Sequence, residues 1–415
     1  MVIMKLVSQD RCKNKSIQDD IIHDFYFMTI DGELHVTIGD IVSEGQVLIS
    51  NSNKHILTHS PVCGIIKDIQ YHHQQKYLVL KTDKTYKPKV YNTSSPVGLP
   101  ADILINRIYN AGINGLEVWD NKYSIHEKLI KACAKGQIDT IVINAIDGEP
   151  FLVGESTLLL EKTREIMQAA HQLRLILNAK NVVFAISKNK QLKETIEQFI
   201  FDNTKTVVEL NSFYPLNHNK ILIKELFNKE LNDSQLCSDA GVVVFTPTIF
   251  YAIYEALFYE KPVTDRVITV DGAYSLAYGV FRIKMGTPIS KFMRPFSLEN
   301  SYVMFSGGPL QGQPLEKEKA LVKSMNAIMI FEGAITIPEE QYCVHCTACV
   351  EVCPIRLEPI KLVDFINNKE YDRAYDNYLQ ECINCNLCSY VCPSFIPLGK
   401  IIKEGQMINK DSFNA

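Results

Sequence analysis

Eight cysteines near the end of this 415-residue chain are arranged in two runs with the same spacing. Each run reads C-x2-C-x2-C-x3-C-P, the first over Cys343–Pro354 and the second over Cys382–Pro393. Three thiolates at this spacing bind one 4Fe-4S cube, and the fourth, which precedes a proline, ligates the other cube. The sequence therefore predicts two interlocked clusters, with ligands Cys343, Cys346, Cys349 and Cys392 for the first, and Cys353, Cys382, Cys385 and Cys388 for the second.

Zinc sites and disulfides are the two other common uses of such cysteines. Structural zinc is usually held by two separated C-x2-C pairs, not by tandem runs of four. Disulfides suit secreted chains, whereas a long chain without a signal-peptide pattern keeps such thiols for metal in a reducing compartment. The spacing therefore favours one-electron transfer. The remaining cysteines are isolated and are interpreted as small apolar residues: Cys12, Cys63, Cys133 and Cys237.

Composition limits the classes of partner. A formal net charge of -4 and a pI near 6.2 leave no broad basic surface, so nucleic acid is not expected as a partner. The stretch Met1–Ile30 has no apolar core segment, so no signal peptide is predicted. Since no run of about 18 apolar residues is free of charge, the sequence also predicts no membrane span.

The first element that could position the clusters is a β-rich region from Gly32 to Lys81. Short alternating stretches between turn formers predict a small β domain. Its turns at 38–46 and 60–64 resemble the paired turns of the biotinyl/lipoyl-like barrel-sandwich fold. A carrier lysine at the hairpin tip would be Lys54, but it lacks the acidic or Met-Lys-Met surroundings of such carriers. A scaffold domain is the better interpretation.

Strands and helices alternate after a polar, proline-bearing linker. Ile138–Ala145, Asn181–Ser187 and Gly241–Phe245 are continuous apolar runs, as buried parallel strands are. Apolar residues at helical spacing predict helices over Ser156–Leu177 and Thr248–Tyr259. The pattern is typical of an α/β layer domain.

This order of parts resembles the C subunit of the Rnf electron-transport complex. The resemblance extends through four further stretches: Ile143–Pro150, Val242–Pro262, Arg266–Val270 with Ile283–Ile289, and Ser306–Gly312. It implies an α/β multidomain chain with four parts. These are a barrel-sandwich hybrid domain (1–98), a flavin-type Rossmann-like α/β domain (99–261), a β-grasp soluble-ligand-binding domain with its return segment (262–335), and a helical ferredoxin-type module for two 4Fe-4S clusters (336–415).

The resemblance also implies partners and a location. Family members are expected to bind FMN in the α/β domain, exchange electrons with NADH and pass them through the clusters to membrane-embedded subunits. The chain would then be a peripheral subunit on the cytoplasmic side of the cell membrane. Its partners would be the membrane-embedded and peripheral subunits of an ion-translocating complex, with a soluble ferredoxin or flavoprotein as a further donor.

The flavin site, however, departs from the family pattern. By resemblance its residues would be Gly112, Gly115, Asp147, Glu149 and Lys220. The glycine-rich loop that would approach a phosphate through backbone N–H groups is instead acidic, because it contains Glu117 and Asp120. The single tryptophan, Trp119, would fill space that the flavin ring needs. Like charges repel at that range, so the sequence predicts that FMN is not bound stoichiometrically.

Three functions are compatible with these features. The leading prediction is an electron-transfer subunit that relays single electrons through two 4Fe-4S clusters and has no catalytic residues of its own. The second is a self-sufficient flavin and iron-sulfur reductase similar to cobalamin reductases, which retained flavin would favour. The third is a non-redox interaction scaffold with structural clusters, which midpoint potentials outside the physiological range would favour.

Overall fold

Short strands separated by turns build two small sheets in the first part of the chain. The computed structural model describes residues 15–72, 75–116, 123–272, 278–296, 302–333 and 338–412. Its first eight strands are β1 (Ile17–Asp19), β2 (Phe25–Thr29), β3 (Glu33–Leu34), β4 (Ile41–Val42), β5 (Val47–Asn51), β6 (Ile56–His59), β7 (Gly64–His72) and β8 (Gln75–Thr82). Strands β2-β8-β7-β4 form one antiparallel sheet, and β3-β5-β6 form another. Alternate residues such as Tyr26 and Met28 are buried, as the two-residue period of a strand requires.

A parallel sheet with helices follows. Its elements are α1 (Ala101–Asn110), α2 (Ile125–Lys135), β9 (Thr140–Ala145), α3 (Gly154–Glu161), α4 (Thr163–Ile176), β10 (Asn181–Ser187), α5 (Lys190–Glu197), β11 (Lys205–Leu210), α6 (Asn219–Phe227), β12 (Val242–Phe245) and α7 (Pro247–Tyr259). The strand order is β11-β10-β9-β12, all parallel. Every residue of β9 is buried. Because the order reverses between β9 and β12, a crevice opens at their carboxyl ends, where α/β proteins bind ligands.

The predicted elements of this region are confirmed with one exception. The three predicted strands coincide with β9, β10 and β12 to within two residues, and the second predicted helix is α7, which starts at Pro247. The first predicted helix, Ser156–Leu177, is wrong as a single element because it divides into α3 and α4 at Lys162. The Thr163 hydroxyl donates to the Leu159 carbonyl at 2.6 Å, which offers the backbone an alternative to regular helical bonding.

A six-stranded mixed sheet comes next. It contains β13 (Asp265–Gly272), β14 (Gly279–Lys284), β15 (Tyr302–Ser306), β16 (Gln313–Pro314) and β17 (Ala327–Glu332), with the short helix α8 (Ile289–Phe292) beside it. The strand order is β1-β14-β13-β17-β15-β16. Strand β1, from the start of the described chain, pairs in parallel with β14 through Ile17 and Val280. The first and third parts of the chain are therefore joined by a shared sheet.

Short helices build the cysteine-rich module at the end. They are α9 (Ala348–Glu351), α10 (Pro359–Asn367), α11 (Tyr371–Asp376), α12 (Leu387–Tyr390) and α13 (Leu398–Ser412). Helices α9 and α10 recur as α12 and α13 at the same spacing as the two cysteine runs, so the module is an internal repeat. Its apolar core includes Leu362, Ile366, Leu398 and Ile402. Within the described residues, no helix is both long enough and apolar enough to cross a membrane.

Candidate electron-transfer site

Four cysteines from both runs line one small cavity, which we call the second cluster site. Cys382, Cys385 and Cys388 come from the second run, and Cys353 comes from the end of the first. This is the ligand set that the spacing predicts. Within the described part of the chain, no three His, Cys, Asp or Glu side chains converge on a point where one metal ion could bind. A four-iron cube differs in that each cysteine binds a different iron atom.

The ligands that the sequence predicts for the first cluster are Cys343, Cys346, Cys349 and Cys392, and we call their position the first cluster site. The Gln341 N–H donates to the Ser394 carbonyl at 2.9 Å, and the Ser394 hydroxyl donates to the Tyr342 carbonyl at 2.8 Å. These two bonds join the loop after Cys392 to the segment that precedes Cys343. Of the four thiols, Cys346 is exposed and the others are half-buried. The first cluster site therefore lies at the protein surface.

Left-handed backbone conformations shape both cysteine loops. In the first half, His345 and Thr347 have φ of 54° and 64°; in the second half, Asn384 and Asn386 have φ of 54° and 60°. This conformation lets the loop curl back, so that the His345 N–H points at Cys343 Sγ (3.4 Å) and the Asn384 N–H points at Cys382 Sγ (3.4 Å). Asparagine tolerates positive φ well, so the two asparagines were the available sequence signal for these turns.

Burial opposes thiolate formation at the second cluster site. Desolvation raises the pKa of Cys382 and of Cys388 to about 12, and the neighbouring thiols of the site add to both shifts. A thiolate must replace each thiol for iron to bind. The Leu357 N–H donates to Cys353 Sγ at 3.2 Å and offsets part of that cost. Four thiolates buried together would therefore need a cationic centre that compensates their negative charge.

The second half of the module packs against the α/β domain. Ile383 and Cys385 share a buried apolar cluster with Ile146 and Leu216. The Tyr214 hydroxyl donates to the Cys385 carbonyl at 2.7 Å. These contacts place the second cluster site beside the carboxyl end of β9.

An ion pair strengthens the same contact. Lys220 Nζ on α6 lies 3.1 Å from Glu381 Oε2, the residue before Cys382. The other oxygen of Glu381 accepts from the Asp233 N–H at 2.9 Å. Both charged side chains are largely buried, so solvent screens the pair less than it would a surface pair.

Two of the five residues predicted for a flavin site line one pocket. Asp147 and Glu149 line a pocket at the carboxyl ends of β9 and β12, which we call the sheet-end pocket. Gly112 and Gly115 have φ of 68° and 92° and lie against the β-rich region instead. Lys220 is occupied by its ion pair with the cysteine-rich module. The acidic loop expected beside the pocket, with Glu117, Trp119 and Asp120, falls outside the described residues.

The described lining of the sheet-end pocket is acidic. Its described lining contains three carboxylates, Asp147, Glu149 and Glu155, and neither lysine nor arginine. The Asn217 side chain covers the backbone at Gly148, where an added Cβ would collide with the amide. Asn144 Nδ2 donates to the Asn217 carbonyl at 2.8 Å and fixes that loop. A dianionic phosphate needs converging donors, and the described lining of this pocket supplies no cationic side chain.

Glu149 has a structural partner that the sequence did not reveal. Its carboxylate accepts the N–H groups of Leu310 at 2.6 Å and Gln311 at 3.1 Å, in a turn over 308–311 that we call the Gly-Pro turn. Burial raises the pKa of Glu149, and the backbone N–H groups of the turn oppose that shift. Sequence separation hid this contact, since the partners are 161 residues apart.

Two family models match the chain. The Nuo51 FMN-binding domain matches residues 108–255, and a 4Fe-4S dicluster domain matches residues 326–396. The second match confirms the predicted iron-sulfur domain, and the first confirms a mixed α/β domain of that family upstream of it. The individual ligand assignments and the number of clusters stay predictions.

Curated relatives extend over nearly the whole chain. The C subunit of the ion-translocating oxidoreductase complex from Buchnera aphidicola subsp. Baizongia pistaciae is 31% identical over 382 residues, covering 88% of this chain and 75% of the relative. The chain belongs to this C-subunit family. Its namesake from Buchnera aphidicola subsp. Acyrthosiphon pisum is 27% identical over 411 residues, 94% of this chain and 85% of that one. The predicted resemblance to the Rnf C subunit is thereby confirmed.

Solved structures align with the chain at low sequence identity. A chain of an NAD+-reducing NiFe hydrogenase aligns with 75% of this chain and 54% of its own length, at 15% identity and a TM-score of 0.47. No functional relationship follows from a likeness at that level.

Proposed function

We propose that this member of the C-subunit family relays single electrons within a membrane-bound, ion-translocating oxidoreductase complex, through two 4Fe-4S clusters. The observation that carries the proposal is the position of Cys353. This cysteine belongs to the first run, yet it lines the same cavity as the three cysteines of the second run. Exchange of the fourth ligand is the arrangement of two-cluster ferredoxins. The family relationship and the dicluster match support the same function.

The chain's own part is to hold and insulate the clusters. A 4Fe-4S cluster supplies a site that takes up and releases one electron at a time. Cysteine thiolates fix its position, and backbone N–H groups such as those of His345 and Asn384 donate toward ligand sulfurs. Apolar Ile355 and Leu387 pack beside the second cluster site and exclude water. Hydrogen bonds and burial of this kind set the reduction potential.

The two cluster sites differ in their exposure to solvent, which supports different roles for them in electron transfer. The second cluster site is covered by the α/β domain, whereas Cys346 at the first is exposed. We assign the first site to exchange of electrons with other subunits of the complex, membrane-embedded or peripheral.

The chain would attach to the membrane through those subunits, on its cytoplasmic side. Release of the protein from membranes by chaotrope or high pH tests this attachment, and a need for detergent when it is expressed alone would contradict it.

Iron analysis and spectroscopy test the electron-transfer function. Protein purified without oxygen is expected to contain about eight iron and eight sulfide per chain, since each cube has four of each. Dithionite should produce the electron paramagnetic resonance (EPR) signals of two reduced clusters. Stoichiometric zinc in place of iron would overturn the proposal.

The domain boundaries predicted from the sequence, 1–98, 99–261, 262–335 and 336–415, form part of the proposal. Strands β14-β13-β17-β15 have the order 2-1-4-3 with β13 and β17 parallel, which supports a β-grasp third domain. The parallel order 3-2-1-4 of the preceding sheet supports a Rossmann-like second domain. The paired small sheets support a barrel-sandwich first domain, although β1 joins the third sheet.

The competing function is a flavin-dependent reductase, which the FMN-binding family match favours. We propose instead that FMN is absent and that electrons enter from another protein, because the sheet-end pocket is acidic in its described part. The isolated protein should then show no flavin absorbance and should not oxidise NADH while its clusters remain reducible by dithionite. One FMN per chain, reducible by NADH, would overturn this and establish the reductase.

A further inference from the structure

The Gly-Pro turn stands between the sheet-end pocket and the second cluster site and bonds to both. On the pocket side, Glu149 accepts from Leu310 and Gln311 as described above. On the cluster side, Asn386 Nδ2 donates to the Leu310 carbonyl at 2.8 Å. Gln311 Nε2 donates to the Asn384 carbonyl, also at 2.8 Å. The same two turn residues therefore contact the pocket carboxylate and the cysteine loop.

Gly308 makes the close approach of this turn possible. A Cβ added at Gly308 would lie 2.5 Å from the carboxyl carbon of Glu149. The Gly308 backbone also helps to lower the pKa of that carboxyl group, against the effect of burial. Glu149 itself is only 6% exposed, so the two backbone donors of Leu310 and Gln311 bond to a buried carboxylate. Such charge-assisted bonds are about twice as strong as neutral ones.

Asn384 and Asn386 lie between the predicted ligands of the second cluster, the first after Cys382 and the second after Cys385. Both have left-handed backbone, and the Asn384 N–H points at Cys382 Sγ. A displacement of the Gly-Pro turn would therefore move the cysteine loop. The equivalent residues of the first half, His345 and Thr347, are exposed.

We propose that Glu149 is a positioning residue for the second cluster. Through the Gly-Pro turn its carboxylate fixes the loop that carries Cys382, Cys385 and Cys388, and it places a negative charge beside that cluster alone. Uptake of an electron makes a cluster more negative, so a nearby carboxylate lowers its reduction potential. The inference rests on the proposed presence of both clusters.

Two substitutions separate charge from position. Glu149→Gln keeps an oxygen acceptor for the turn and removes the charge, whereas Glu149→Ala removes both. Asp147→Asn is the matched control, because it removes a charge from the same pocket at a carboxylate that accepts from the Ser156 N–H on α3. Anaerobic redox titration followed by EPR gives both midpoint potentials, and iron and sulfide analysis gives cluster content.

Glu149→Gln is expected to raise one of the two midpoint potentials and leave both EPR signals intact. Glu149→Ala is expected to broaden or abolish the signal of the same cluster, with iron falling toward half. Gly308→Ala, which displaces the turn without changing charge, should reproduce the spectral change. The affected signal should be the one that Cys353→Ala removes, and Asp147→Asn should shift the potential less than Glu149→Gln.

Three results would overturn the inference: unchanged signals and potentials in both Glu149 variants, equal changes in both clusters, or an Asp147→Asn shift as large as that of Glu149→Gln. Iron content separates this outcome from failure of the proposed function. If the unmodified protein lacks iron, the electron-transfer function fails. If it holds both clusters while the variants leave them unaltered, only the role of Glu149 fails.

Discussion

The two halves of the cysteine-rich module share a backbone and differ in their surroundings. Helices α9 and α10 of the first half recur as α12 and α13 in the second, and positive φ values recur at matching positions. Ile383, in the second half, is 7% exposed and packs against the α/β domain. Val344, its equivalent in the first half, is 66% exposed. The ligand spacing is the same in both halves, so the neighbouring domain determines how far each cluster site is exposed to solvent.

This difference bears on potential as well as access. Solvent exposure and hydrogen bonds to sulfur are among the main determinants of an iron-sulfur potential. At the second site, the Tyr214 hydroxyl donates a hydrogen bond to the Cys385 carbonyl, and the Gly-Pro turn bonds to the cysteine loop. At the first site, Cys346 is exposed to solvent. Two sites built from one repeat are thus placed to have different potentials.

The largest expected effect is the loss of one cluster while the other is retained. Cys353→Ala should remove the cluster bound by Cys382, Cys385 and Cys388 and spare the other, because the fourth ligand comes from the opposite run. About four of eight iron atoms should be lost, together with one EPR signal. Cys392→Ala is the matched control and should remove the other signal. The reverse assignment of signals would show that the ligands are paired differently.

The second prediction compares equivalent side chains. Ile383→Ala should lower the free energy of unfolding by about 2–5 kcal/mol, because it leaves a cavity between the module and the α/β domain. Val344→Ala should change it by less than about 0.5 kcal/mol, since that side chain is exposed. Urea unfolding followed by circular dichroism measures both. Equal effects would mean that the two halves are buried alike.

The third prediction concerns the pH dependence of stability at α6, the helix of the α/β domain whose Lys220 pairs with the second half of the module. His218 caps α6 by accepting the Lys220 N–H at 3.3 Å, and burial, with the Lys220 charge, lowers its pKa from 6.5 to about 3. Below pH 6.5 the unfolded chain binds a proton that the folded chain does not. The free energy of unfolding should therefore fall by about 1.4 kcal/mol per pH unit between pH 6.5 and 3 from this group.

His218→Asn tests that slope, because asparagine also caps helices but does not titrate. Unfolding midpoints at pH 7.5 and 5.5 should differ less in this variant than in the unmodified protein. His35→Asn, at an exposed position in the β-rich region, should leave the slope unchanged. A slope that persists in His218→Asn would assign the pH dependence to other groups.

The smallest effect concerns a single hydrogen bond. Tyr214→Phe removes the donor to the Cys385 carbonyl and should cost about 0.5–1.5 kcal/mol. Tyr390→Phe, on an exposed ring of the module, is the control and should cost close to nothing. Denaturant midpoints at pH 7.5 compare the two. An equal cost would indicate that the Tyr214 bond adds no net stability.

Local patterns predicted much of this fold. Apolar runs located β9, β10 and β12 because a strand buried on both faces needs no partner information to be recognised. Cysteine spacing predicted two ligand sets because a cube constrains a short loop directly. The break between α3 and α4 escaped prediction, since apolar periodicity continues across Lys162 while the Thr163 hydroxyl bonds the backbone.

Long-range polar contacts were beyond reach of the sequence. Glu149 and Lys220 were expected together at a flavin site, yet each bonds a partner 161 residues away, in the Gly-Pro turn and the cysteine-rich module respectively. Neither partner segment contains a sequence motif that predicts such a contact. The sequence shows that a charged residue needs a partner if it is buried, but only the fold determines which residue that partner is.

Strand β1 has a consequence for aggregation. It covers the edge of β14, whose Val280, Phe281 and Ile283 are buried. Without β1, that strand would offer unpaired N–H and C=O groups beside apolar side chains, which is a template for pairing with other chains. β1 itself is three residues long and ends at Asp19, and short, charged strands make poor templates. Proteolytic loss of these few residues would therefore turn a protected sheet into a self-associating one.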